Sequence, residues 1–138
     1  MAFNGKLIEL NTNGTYVEFP LTYIKAESYK ITPDQRLESS ANRSASGLLV
    51  RSTLSHTSSK IEFETIPITN REANAIHTLL TNAFTDSLRR DISIKYYDPF
   101  SDTYKTADCY MPDIDYSVTR VDGTTIYYSS VRFAFIEY

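Results

Sequence analysis

Only one stretch of this chain carries helical periodicity. Between residues 70 and 85, Ala73, Ile76, Leu80, Ala83 and Phe84 fall on one helical face. Asn70, Arg71, Asn74, Thr78 and Thr81 cover the other. In front lies Thr69-Asn-Arg-Glu72, a capping box in which the Thr hydroxyl takes a backbone N–H and the Glu reaches back. A lone amphipathic helix of about four turns does not hold together in water. It must lie on something, and the rest of the chain offers only strands.

The strands are bounded by turn signals. Residues 7–31 read as two or three strands. Leu7–Leu10 and Tyr16–Phe19 flank Asn11-Thr-Asn-Gly14, a hairpin signal because Asn and Gly tolerate positive φ. Pro20 ends that strand, and Tyr23 to Ile31 reads as strand again. Residues 33–46 hold one large apolar residue, Leu37, among Ser, Asn and charged side chains, and predict a long polar loop or arm. Gly47–His56 and Lys60–Ile66 read as a strand pair joined through His56-Thr-Ser-Ser59. In the second of these, Ile61, Phe63 and Thr65 alternate with Glu62 and Glu64, the pattern of a strand with one wet face. Asp91–Tyr96 and Tyr104–Tyr110 predict a hairpin around Asp98-Pro-Phe-Ser-Asp102. Tyr116–Val121 and Ile126–Glu137 predict another around Asp122-Gly123, with Val131, Phe133 and Phe135 marking its buried face. The expected architecture is a mainly β sandwich or barrel of about seven or eight strands with one flanking helix, a single domain over residues 1–138.

Composition narrows the function classes. A chain of 138 residues fits one domain and can bury a core without disulfides or metal. Eleven Tyr and seven Phe, with no Trp, suit strands. The formal charge of −3 argues against a protein that coats nucleic acid. One Cys (Cys109) and two His (His56, His77) cannot make a four-ligand Cys/His zinc site or an internal disulfide. No cofactor is called for. No apolar run approaches the roughly 20 residues of a membrane span, and Met1–Lys6 lacks the form of a signal peptide, so the cytoplasm of the producing cell is the expected setting.

Candidate chemistry is sparse. Asp98, Asp102, Asp113 and Asp115 could offer oxygen ligands to Ca²⁺, but no segment fits the twelve-residue calcium loop, and Asp is the default turn residue. Glu62 and Glu64 share a strand face and form a carboxylate pair, but a catalytic acid needs an apolar surround and this face reads as wet. Ser55 and His56 lack a nucleophile elbow. His77 reads as a partly buried structural histidine and Cys109 as a small buried hydrophobe. Arg36, Arg43 and Arg51 flank the polar loop together with Asp34 and Glu38, a mixed-charge set suited to docking on protein through Arg–carboxylate pairs. Tyrosines crowd the second half. Because a strand alternates faces, one member of Tyr96/Tyr97 and one of Tyr127/Tyr128 must point outward, which marks an interface. Tyr97, Tyr127 and Tyr138 are the candidate interface aromatics.

Several short motifs resemble a family of small tail-associated proteins of phages and prophages of Gram-positive bacteria. They are Lys25-Ala-Glu27, Gly47 with Arg51, Lys60-Ile-Glu-Phe63, Ile76 with Leu79-Leu80, Tyr97-Asp-Pro99, Cys109-Tyr-Met-Pro-Asp113 and Phe133-Ala-Phe-Ile-Glu137. The element order is similar to the phage tail-tube fold. That resemblance implies a non-enzymatic structural subunit of the tail tube or of the baseplate and tube-initiator region. It implies copies in a ring, commonly of six, stacked into a channel through which genome DNA passes without specific binding. Arg36, Leu37, Glu38 and Arg43 would then lie on an arm reaching a neighbouring subunit, and Glu62 and Glu64 would face the channel and repel DNA phosphates. The implied partners are further copies and other tail or baseplate proteins, with no membrane. The implied location is the virion, assembled in the host bacterial cytoplasm. Three alternatives stand beside this reading: a carbohydrate- or host-binding sandwich module of a baseplate, a tail terminator or completion protein, and a small enzyme using the Glu62/Glu64 carboxylates.

Overall fold

In the computed structural model the backbone is described for residues 3–43 and 49–138, and side chains for those of them outside 34–57. The strands in chain order are β1 (Ile8–Thr12), β2 (Thr15–Glu18), β3 (Lys30–Arg43), β4 (Leu49–Glu64), β5 (Ile68–Thr69), β6 (Phe84–Asp86), β7 (Asp91–Asp98), β8 (Thr103–Tyr110), β9 (Val118–Asp122), β10 (Thr125–Tyr128) and β11 (Arg132–Glu137). The helix α1 (Asn70–Ala83) sits between β5 and β6. One sheet has eight strands in the order β2-β1-β7-β8-β11-β4-β3, with β6 also paired to β7. The other has three, β5-β10-β9. The mainly β architecture with one flanking helix is therefore as expected. The strands beyond the expected number are short elements such as β5 and β6.

Local chemistry sets the turns. Asn13 and Gly14 have φ of +50° and +89°, the positive pair that a two-residue type I′ hairpin requires. Asn11 Oδ1 accepts the Gly14 N–H at 2.8 Å. At the β9–β10 turn, register pairs Asp122 with Thr125, so Gly123 and Thr124 are the central residues and Gly123 takes the positive φ. The capping box forms: the Thr69 side chain accepts the Glu72 N–H, and Glu72 Oε1 accepts the Thr69 N–H at 3.1 Å.

Four readings of the sequence are corrected. Residues 33–43, expected as loop, continue β3, and only 44–46 of that stretch lie outside the described residues. The sparse apolar content misled because a backbone ladder with β4 pairs this run as a strand. In place of the strand pair expected over 47–66, Leu49–Glu64 is one strand, β4, that continues through His56–Ser59. Residues 23–31 are not a continuous strand. A 3₁₀ turn (Leu21–Tyr23), a bridge from Ile24 to Thr65 and a turn at 26–28 precede β3. Likewise 126–137 is split, since the chain leaves the small sheet after Tyr128 and enters the large one at Arg132.

One core unites the layers. The buried stripe of α1 (Ala73, Ile76, Leu80, Ala83) joins Ile8 and Leu10 of β1, Ile92, Ile94 and Tyr96 of β7, Cys109 of β8, Ile61 and Phe63 of β4, and Phe133 and Phe135 of β11. Phe63 is the hub, with ring centroids of Phe19, Tyr29, Phe133 and Phe135 at 5.0, 5.9, 5.9 and 6.3 Å.

The β3–β4 ribbon outruns this core. β11 pairs with β4 only from Lys60 to Glu64, whereas the β3–β4 ladder continues to Arg43 and Leu49. At about 3.3 Å per residue, the 14-residue β3 spans on the order of 45 Å, against a radius of gyration of about 14 Å expected for a globule of this length. The register of the ribbon shifts three times, first between Thr32 and Gln35, around Pro33, which has no N–H to give the ladder.

Phe63→Ala is expected to lower unfolding free energy by about 3–5 kcal/mol, measured by urea titration of the far-ultraviolet circular dichroism. Thr69→Ala is expected to cost about 1 kcal/mol in the same assay, through loss of the cap.

Candidate assembly surface

The outward face of β3, β4 and β11 carries a cluster of paired charges. Strand alternation buries Ile61, Phe63 and Thr65 and turns Glu62 and Glu64 outward. Register sets Lys30 beside Glu62 and Arg132 beside Glu64. The Arg132 guanidinium donates to the Glu62 carboxylate, and Lys60 Nζ lies 3.8 Å from the same oxygen. Lys25 Nζ is 3.9 Å from Glu64. Lys25 stands on a tight turn with its N–H on the Glu64 carbonyl at 2.8 Å, and the Ser28 hydroxyl accepts the Glu64 N–H at 3.1 Å. The result is a shallow cleft of about 390 Å³ lined by Lys25, Glu27, Lys30, Glu62, Glu64 and Arg132.

This geometry changes the electrostatic reading. The hydrogen bond from Arg132, with the positive charges of Lys60, Arg132 and Lys30, holds the Glu62 carboxyl below its ordinary value against the opposing effect of burial. The two glutamates are therefore not a bare acidic strip, because a cation stands beside each. Sequence alternation found the carboxylates but not Lys25, Lys60 and Arg132. Lys25 and Arg132 come from other segments, and only register brings them in.

The candidate tyrosines obey the alternation argument, but other side chains of the chain engage them. Tyr96 is buried and Tyr97 points outward, where its ring meets Phe3 at 5.1 Å and Tyr104 at 5.6 Å and its hydroxyl donates to Asp102. Tyr104 in turn donates to the Lys6 carbonyl at 2.7 Å, which ties the N-terminal segment over this face. Tyr127 is half-buried beneath the Arg120 guanidinium, 4.2 Å from the ring centroid. Tyr138 is 57% exposed, packs on Tyr110 at 5.3 Å, donates to Asp91 and accepts from Arg89 Nη2 at 3.2 Å.

Of the arm candidates, Arg36, Leu37, Glu38 and Arg43 all lie on β3, opposite β4. Register places Arg36 by Thr57, Glu38 by Thr53 and Arg43 by Leu49. Their side chains lie outside the described set, as does that of His56.

The remaining singled-out residues have local duties. His77 is half-buried and meets Tyr116 edge-on at 5.5 Å. Cys109 is fully buried, and burial, reinforced by Glu137 and Asp108, pushes its thiol up to about 12. Asp98 is fully buried. Burial opposes its ionisation, but Lys105 at 2.9 Å, the Ser101 hydroxyl and the Phe100 N–H together outweigh that and hold it below the ordinary value. Among the described residues no three His, Cys, Asp or Glu side chains are grouped to hold a metal ion. No described helix is long and apolar enough to cross a membrane.

This arrangement of two sheets and one helix has a counterpart among solved structures. It matches a solved structure of the tail of an empty GTA particle, obtained by helical refinement with C6 symmetry. The TM-score is 0.53 at 15% identity, over 99% of this chain and 95% of that one. The likeness is one of fold. The chain belongs to DUF6711, a family of unknown function whose pattern spans residues 1–138. No curated protein matches it.

Arg132→Ala is expected to raise the Glu62 titration midpoint, followed by carboxyl-carbon NMR. A depressed carboxyl stabilises the fold above its unfolded value near 4.5 and loses that contribution as pH falls through its folded value. The stability gap between wild type and variant, about 0.2–1 kcal/mol, should therefore be open at pH 6 and narrow as pH falls below 4.5. Cys109 should react with a thiol reagent at pH 8 only as fast as the protein opens, so its labelling rate should rise steeply with urea.

Proposed function

We propose that this chain is a structural, non-enzymatic subunit of the tail of a phage or phage-like particle. It works as a ring of copies, six in number, in the tail tube or the baseplate and tube-initiator region. The observation that carries this reading is the fold likeness over nearly the whole of both chains to a C6 tail assembly.

The backbone supplies an independent reason for assembly. The outer edges of β2 and β3 end the large sheet. Beyond Lys60 the β3–β4 ribbon is paired only with itself among the described strands. A two-stranded ribbon is marginal in water, and a long open edge invites another chain. Neighbouring copies or other tail proteins supply the missing pairing. In the ring the outward face of β3, β4 and β11 lines the channel. Among the described side chains its ion pairs leave little unbalanced charge, so genome DNA slides past a wall with few uncommitted cations there to hold its phosphates. The subunit assembles in the host bacterial cytoplasm and resides in the virion. The resemblance of residues 25–137 to tail proteins of Gram-positive phages points to such a host. A sugar-stacking module fits less well, because Tyr97 and Tyr127 face Tyr104 and Arg120 rather than open solvent.

The test is electron microscopy of particles from the producing strain, labelled with antibody to this chain, beside class averages of the purified protein. Label along or at the end of the tail, with six-fold rings, is the expected result. Purified particles that lack the chain would sink the proposal.

A further inference from the structure

The sequence holds two Asn-Gly steps, Asn4-Gly5 and Asn13-Gly14, and each of these residues is exposed. In such a step a chain can attack itself. The backbone nitrogen of the Gly is the nucleophile, with no side chain in front of it, and the Asn carboxamide carbon is the electrophile. The structure treats the two steps in opposite ways. At Asn13 the nucleophile is held: the Gly14 N–H is donated to Asn11 Oδ1 at 2.8 Å, within the hairpin tip that joins β1 to β2.

At Asn4 the hydrogen bonds fall on the electrophile instead. Its Oδ1 accepts the Lys6 N–H at 3.1 Å and the Tyr104 hydroxyl at 2.5 Å. A backbone N–H can only donate, so the Lys6 bond fixes which carboxamide atom is the oxygen. That bond closes an Asx-turn whose ring contains the Gly5 nitrogen, so the carboxamide is folded back beside it. The Tyr104 hydroxyl is itself placed by the Asn4 N–H at 3.1 Å and the Lys6 carbonyl at 2.7 Å. Around Gly5 there is open space, since a Cβ built on it would meet nothing within 4 Å. Among the described residues its N–H has no acceptor. Two donors converging on a carbonyl oxygen stabilise the negative charge that gathers there when a nucleophile adds to the carbon.

We infer that Asn4 is a site of self-modification, a deamidation promoted by Tyr104 and the Lys6 N–H, and that Asn11 guards Asn13 against the same reaction. The Gly5 nitrogen forms a bond to Asn4 Cγ while the Cγ–Nδ2 bond breaks. The Gly5 amide proton passes through solvent to the leaving nitrogen, which departs as ammonia and leaves a cyclic imide. Water then adds across one of the two imide C–N bonds. Opening at Cγ gives aspartate; opening at the former backbone carbonyl gives isoaspartate. No electron changes hands, and water is the only co-reactant. Either product gains a negative charge, and isoaspartate also lengthens the backbone by one atom where Tyr104 pins the N-terminal segment. The inference stands apart from the tail reading and does not depend on it.

The experiment incubates the full chain at pH 8 as wild type, Tyr104→Phe and Asn11→Ala, and follows both steps by peptide mass spectrometry that separates aspartyl from isoaspartyl forms. The wild type unfolded in urea is the reference, in which neither step has tertiary partners. In the folded wild type Asn4 is expected to convert faster than in urea and Asn13 more slowly. Tyr104→Phe should slow Asn4 by roughly tenfold, less than the 10²–10³ of a buried oxyanion hole because water partly replaces the lost donor. Asn11→Ala should bring Asn13 toward its rate in urea and leave Asn4 unchanged. Tyr104→Phe that speeds Asn4, as mere loosening of the segment would, or that leaves it unchanged, overturns the inference. So does an Asn4 that converts no faster folded than unfolded, a comparison that needs no variant and decides even if Tyr104→Phe does not fold. An Asn13 indifferent to Asn11→Ala ends the guarding role.

Discussion

The fold depends on the alternation of β4 through Phe63. One residue inward, this strand supplies the ring on which Phe19, Tyr29, Phe133 and Phe135 converge. One residue to either side, it turns Glu62 and Glu64 to water. Because the side-chain period of a strand is two, these consequences cannot be separated. A slip of one residue would bury both carboxylates and expose the aromatic hub, at a cost of many kcal/mol. The register with β11 is thereby fixed, and with it the meeting of Arg132 and Glu62. The charged face is a by-product of the same constraint that makes the core.

That constraint ends at Lys60. From there toward its N-terminus, β4 has β3 beside it and no other described strand, so the ribbon is held by ladder hydrogen bonds between its own two strands. Net hydrogen-bond stabilisation is modest, near 1 kcal/mol apiece, and ordering each residue costs a similar amount. An extended ribbon on such terms is close to balance. A neighbour that supplies one more strand or one apolar face tips it firmly toward order. The long strands and the open edges are thus two aspects of one feature, a ribbon whose pairing among the described strands stops at its own two members.

Much of the body was legible because its signals are local. The capping box at Thr69, the stripe on α1, the positive-φ pair at Asn13-Gly14 and the alternation in β7 each involve residues within a few positions of one another. What escaped was set from afar. Residues 33–43 carry too few apolar side chains to look like a strand, and the ladder that makes them one comes from β4. His56-Thr-Ser-Ser59 looks like a turn by composition, yet pairing on its β3 side keeps it extended. The surface showed the same division. Outward tyrosines were deducible from alternation, but that Phe3, Tyr104 and Arg120 would cover or flank them depended on tertiary proximity. The cations beside Glu62 and Glu64 were hidden for the same reason.

The balance of charge on that face bears on what the proposed conduit would need. A wall of unpaired carboxylates would repel DNA, but it would also repel adjoining copies in such a ring, since every copy would bring the same charges. Pairing a carboxylate with a cation of its own chain, as Glu62 is with Arg132 and Glu64 with Lys25, removes that self-repulsion, and at an exposed surface it costs little in either direction. Among the described side chains of the face, few cations remain uncommitted to exchange counterions with a passing phosphate backbone. In the proposed ring, low unbalanced charge would thus serve assembly and passage together, whereas an acidic wall would serve passage alone.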